Sequence, residues 1–175
     1  MDDERGFTCM PAANVNMISE ATRNKLKEAI AIIEPFLNNS TLKGLTEQDS
    51  SEESDVFYRG LLSDLRHLLV FCEVSVEKLG IVLRRPNFDT DYAERCLYEV
   101  YHQCINAYFY PKNECYSEDG RYAYTGQDAI RFRFKPTHEV KEIVINASKI
   151  FEELRDELSY YESDYMTQRR MQAQK

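Results

Sequence analysis

DTDYAERCLYEVYHQCINAYFY, residues 89–110, is written in helical periods on more than one side. At about 100° per residue, Ala93, Cys96, Val100, Cys104 and Ala107 share one face, while Tyr98, Ile105 and Phe109 lie round the back. A helix apolar on two sides is covered on both, so one layer of helical neighbours is not enough for this segment. Asp89 or Thr90 can accept the free amides of its first turn, and Pro111 closes it.

The expected cover comes next in the chain. Residues 115–118 and 121–124 flank Asp119-Gly120, a pair able to take positive φ at both centres of a two-residue turn, which predicts a β-hairpin beside the helix. After it, Ile130, Phe132 and Phe134 alternate with Arg131, Arg133 and Lys135, the period of two of a strand with one wet face.

The flanking segments read as helices. Residues 16–37 return apolar side chains at three-and-four spacing, with Pro35 near the end, where it removes a backbone donor. Residues 38–41 read as a stop and a new cap, and 42–45 as one short turn. The acidic stretch 46–55 reads as a mobile loop, because it has little apolar surface to bury. Residues 55–85 carry a stripe from Phe57 to Val82, about 45 Å long, ending at Pro86. The last helix starts after Pro136 and Thr137 and holds Val140, Val144, Phe151 and Leu158, with residues 168–175 expected to fray and residues 1–14 expected to be mobile. The fold class is therefore mainly α: one domain over 1–175, a four-helix up-and-down bundle with a small antiparallel β-hairpin or three-stranded sheet, residues 113–135, inserted before the last helix.

At 175 residues such a chain can bury roughly 70% of its unfolded surface without staples. No apolar run approaches the length of a membrane span, and the acidic start of the chain is unlike a secretory signal, so the expected compartment is the cytoplasm. Five cysteines without a Cys-x-x-Cys pair read as reduced thiols, Cys115 being the candidate for reactivity. A net charge of −8 disfavours nucleic acid as a partner.

No motif specifies a reaction. Asp64-x-x-His67 and Glu99-x-x-His102 have the spacing of bundle metal ligands, but both pairs fall away from the apolar stripes of their helices. Arg95 and His102 fit loosely the Arg-x4-6-His pattern of HEPN-type ribonucleases, which would use the arginine on a phosphate and the histidine as a proton carrier. With thirteen arginines and three histidines in the chain, one such match is close to what chance supplies. No glycine-rich phosphate loop is present, and no cofactor is expected.

The signal that remains is aromatic and cationic. Eight of the twelve tyrosines fall between Tyr92 and Tyr124, and Tyr116, Arg121, Tyr122, Tyr124, Arg131 and Arg133 are the residue types enriched in contact patches. They are the candidate binding residues of a non-enzymatic interaction or regulatory module, for a protein partner with acidic or phosphate groups or a second copy of the chain as a homodimer; Arg95 and His102 form the alternative, an RNA-directed hydrolase.

Through Tyr58-Arg59-Gly60-Leu61-Leu62-Ser63, Leu68-Leu69-Val70-Phe71-Cys72-Glu73, Tyr101-His102-Gln103-Cys104, Pro111-Lys112-Asn113, Ala123-Tyr124-Thr125-Gly126 and Glu157-Leu158-Ser159-Tyr160-Tyr161-Glu162, the chain resembles the YpuI-like proteins of bacilli. The likeness runs over residues 38–165. It implies a cytosolic bacillar protein and supplies no catalytic residue or cofactor.

Overall fold

A computed structural model describes residues 10–119 and 129–174. The protein is mainly helical, with one small two-stranded antiparallel sheet. In order, the elements are α1 (Ala12–Asn39), α2 (Leu42–Leu45), α3 (Glu52–Arg84), α4 (Thr90–Glu99), a π-helical turn (Val100–Ile105), α5 (Asn106–Phe109), β1 (Tyr116–Glu118), β2 (Ile130–Phe132), α6 (His138–Glu157), a 3₁₀ turn (Ser159–Tyr161) and α7 (Asp164–Ala173).

Side-chain caps open α2, α3, α4 and α6. Asp89 Oδ1 accepts the Tyr92 amide at 3.0 Å, and Thr137 Oγ1 the Val140 amide at 3.4 Å. Pro35 lies inside α1, which ends at Asn39, whose side-chain amide donates to the Pro35 carbonyl at 2.8 Å. Helix α3 begins at Glu52, inside the acidic stretch read as loop. There Asp49 Oδ1 accepts the Ser51 amide, Ser51 Oγ accepts the Ser54 amide, and Glu52, Glu53 and Asp55 sit at the positive end of the helix dipole. At the other terminus, α7 runs through residues expected to fray, anchored by buried Tyr165 and by the Tyr160 hydroxyl donating to Gln168 Oε1 at 2.8 Å.

The segment 89–110 departs from a uniform α-helix. Its buried positions recur every fourth residue, Cys96, Val100, Cys104, Tyr108 in one row and Leu97, Tyr101, Ile105, Phe109 in the next. On an α-helix such rows drift by about 40° per turn. The π-helical turn, in which the Asn106 amide reaches back to the Tyr101 carbonyl, takes up that drift and keeps both rows facing the core.

Around this segment α1 packs along α3 and against α4 and α6. Lys25 of α1 pairs with Glu153 of α6, and Lys78 of α3 with Glu99 of α4 at 2.6 Å. The two-residue turn and its hairpin were expected to shelter the far side of residues 89–110; the cover is instead shared. Toward the N-terminal part, Tyr98 packs on Tyr165 with ring centroids 5.7 Å apart. Toward the C-terminal end, Tyr108 stacks on Phe151 of α6 at 4.5 Å and donates to the Val144 carbonyl, and β1 contributes Tyr116.

In the sheet, Tyr116 pairs with Phe132, Ser117 with Arg131 and Glu118 with Ile130. The first and third of the expected strands are thus partners; the expected middle strand, 121–124, and Gly120 of the turn lie outside the described residues. Among the described residues, no helix is long and apolar enough to cross a membrane.

Candidate functional site

The chain leaving α5 is fastened to α3 before it enters the sheet. The Asn113 amide donates to Asp64 Oδ2 at 2.9 Å, and its side-chain amide donates to Asp64 Oδ1 at 2.8 Å and to the Gly60 carbonyl at 3.3 Å. Gly60 is required for this approach, because a Cβ there would stand 2.9 Å from Asn113 Cβ. Two residues on, Cys115 Sγ donates to the Phe57 carbonyl at 3.4 Å. Between these anchors Glu114 has φ 51°, a left-handed conformation that a non-glycine residue holds only where its surroundings enforce it.

The sheet then divides its side chains by parity. Tyr116 and Phe132 share one face, and Ser117 and Arg131 the other, with Arg133 following Arg131 two residues on. Tyr116 is only 4% exposed and donates its hydroxyl to the Tyr108 carbonyl at 2.7 Å; burial pushes its ionisation well above the ordinary tyrosine range. It supports the site from within. Arg131 is held by Asp119, Nε to Oδ2 at 2.5 Å, and Arg133 is exposed. Arg121, Tyr122 and Tyr124 lie outside the described residues.

The anchored loop and β2 enclose an open groove of about 680 Å³. Phe109, Tyr116 and Phe132 form apolar lining, Lys112, Arg131 and Arg133 bring three cations, and Glu114 brings one carboxylate. Tyr110, 76% exposed, stands at its margin. Sequence reasoning missed Tyr110, Lys112 and the Asn113 anchor. The available signal was Pro111, which ends the helix and sends its neighbours out of the core.

Arg95 and His102 are engaged separately. Arg95 is exposed, its guanidinium 5.6 Å from the Tyr92 ring centroid. His102 Nε2 faces the Tyr161 carbonyl at 3.1 Å, so that nitrogen carries the proton, and Nδ1 is left to accept from Asn106 Nδ2 at 3.5 Å. Its ring packs on Tyr98 at 4.3 Å. Nε2 thus serves the docking of residues 159–161 while Nδ1 faces Asn106 of its own helical segment, and among the described residues no hydrogen bond joins this histidine to Arg95.

The metal-spaced pairs are likewise occupied: Asp64 holds Asn113, His67 Nδ1 faces the Ser63 carbonyl at 2.9 Å, and Glu99 holds Lys78. Among the described residues no three His, Cys, Asp or Glu side chains gather as metal ligands. Cys72, Cys96, Cys104 and Cys115 are buried free thiols. Cys115, expected to be the reactive one, has its ionisation pushed up to about 11 by burial, which leaves little thiolate at neutral pH.

Comparison with known proteins agrees with the resemblance read from the motifs. Residues 19–167 match the family model described as "Protein of unknown function (DUF3907)". The uncharacterized protein YpuI of Bacillus subtilis (strain 168) is 32% identical over 145 residues, covering 83% of this chain and 80% of that protein. No solved structure matches. With most of its length inside the family model and a relative of this similarity, the chain belongs to the DUF3907 family.

Proposed function

We propose that the protein is a non-enzymatic interaction or regulatory module of the cytoplasm that takes an acidic segment of a protein partner into the groove beside the sheet. The observation that carries this reading is the convergence of Lys112, Arg131 and Arg133 beside the exposed ring of Tyr110, on a chain whose net charge is −8. The overall field repels an extended polyanion such as nucleic acid, while Lys112 and Arg133, beside the Asp119-paired Arg131, attract a short cluster of carboxylates. Tyrosine and arginine are favoured in contacts because each offers a large flat surface together with polar groups. Arg121, Tyr122 and Tyr124 are proposed to extend the same face.

The frame that supports the groove is proposed to be a four-helix up-and-down bundle in a single domain, formed by α1, α3, the segment 90–109 and α6. Burial of Tyr108 and Tyr116 and the Asn113 anchor favour a groove formed before binding, which lowers the ordering entropy lost on association.

A fluorescein-labelled peptide of alternating glutamate and aromatic residues, titrated with the protein and followed by anisotropy, tests the reading. Saturable binding that weakens with added salt and is not displaced by single-stranded RNA is expected; absence of binding at low salt contradicts it.

A further inference from the structure

The face that carries the groove continues past Arg133. On the far side, Arg133 and Phe134 border a second depression of about 590 Å³, whose other walls are Glu52, Glu53, Val56 and Phe57. Both glutamates are exposed at the first turn of α3, and among the described residues neither forms an ion pair with Arg133. Val56, an apolar side chain, is 55% exposed and lines this depression together with half-buried Phe134. The two depressions share Arg133, so cations, exposed apolar side chains and carboxylates adjoin on one surface.

We infer that a second copy of this chain docks on this face about a two-fold axis near Val56 and Phe134, inserting its Glu52 and Glu53 between Lys112 and Arg133 of the first copy. The inference rests on the reading of the groove as an acceptor of acidic segments, and names the segment. A two-fold contact is isologous, so each patch meets the other patch of the partner, and the two charge pairings form twice. Opposite patches that adjoin on one face are the arrangement such a contact requires. The apolar seam falls at the axis, where Val56 and Phe134 lose their water against their own copies. Arg131 stays tied to Asp119, which leaves Lys112 and Arg133 as the cations that meet the partner's carboxylates.

The partner copy completes the site, because its glutamates add carboxylates opposite Lys112 and Arg133, beyond the one that Glu114 brings. Other acidic partners compete for the same cations, so dimerisation and partner capture exclude each other at a given groove.

Light scattering and sedimentation of the full chain at low and high salt test the inference. A dimer that dissociates as salt rises is expected. Glu52→Lys with Glu53→Lys in one variant, and Lys112→Glu with Arg133→Glu in another, should each give monomers, and mixing the two should restore a dimer containing one of each. Restoration shows that both variants fold and that the charges meet across the interface. A wild-type chain that stays monomeric at low salt, or a dimer that neither variant weakens, overturns the inference. If the chain is monomeric while the acidic peptide still binds, the groove reading stands and the second copy is not its occupant. If both fail, the groove reading falls with it.

Discussion

The Tyr116 hydroxyl donates to the backbone carbonyl of Tyr108 across 2.7 Å, tying β1 to the end of the helical segment from which the chain has just turned. This carbonyl is among the last of its helix and has no successor turn to bond it. Tyr116→Phe removes the donor and leaves a buried acceptor unpaired, so unfolding free energy falls by about 1–3 kcal/mol in urea titration. Binding of an acidic peptide stays unchanged, because the ring continues to fill the floor. A loss of binding without a loss of stability would instead place the hydroxyl in the contact.

Gly60→Ala sets helix propensity against packing. In an exposed helix the change gains about 1 kcal/mol. Here the new methyl stands 2.9 Å from Asn113 Cβ and 3.2 Å from Cys115 Sγ, atoms close to a backbone that is pinned to α3. Overpacking of this kind costs about 1–3 kcal/mol, and the expected outcome is a net loss of stability with weaker peptide binding, measured by thermal melting and anisotropy.

Glu118 and Arg155 form a two-bond pair, both contacts 2.9 Å, with the guanidinium 3.9 Å from the Phe109 ring centroid. Hydrogen bonding to Arg155 holds the Glu118 carboxyl below its ordinary range. A group whose ionisation is lowered by folding stabilises the fold above its unfolded value and loses that contribution as pH falls through the folded value. Glu118→Gln therefore lowers stability at pH 7 by about 1 kcal/mol, discounted for partial exposure, and flattens the acid limb below about pH 4.5. An unchanged acid limb contradicts the assignment.

His102→Ala lowers stability by about 1–2 kcal/mol, because it removes the donor to the Tyr161 carbonyl. Arg95→Ala, at an exposed position, stays within about 0.5 kcal/mol. Neither substitution alters RNA cleavage. RNA turnover by the purified chain that disappears in both variants would restore the hydrolase reading.

What the sequence made legible follows from local physics. Periods near 3.6, the caps Asp89 and Thr137, and Pro111 each act within a few residues, and α4 and α6 begin where these signals place them, whereas α3 starts inside the expected acidic loop and α7 runs through the expected frayed tail. The π-helical turn was missed because a uniform advance of about 100° per residue was applied, whereas burial every fourth residue at Cys96, Val100, Cys104 and Tyr108 is the mark of a wider turn. Tyr116 was assigned to the surface because tyrosine serves core and contact equally, and its distinguishing partner is a backbone carbonyl. The Asp64 and Gly60 contacts to Asn113 join residues 49 and 53 apart, a separation no local pattern reports. Strand alternation was enough to place Arg131 and Arg133 on the exposed face, since parity alone sets it.

Affinity for an acidic peptide in Lys112→Glu/Arg133→Glu tests the groove most directly. Both side chains are exposed, so the melting temperature should stay within about 2 °C of wild type. Affinity should fall about tenfold or more at low salt, with the difference closing as salt rises. Peptide affinity equal to wild type in a folded double variant would contradict the assignment of these cations as the binding surface.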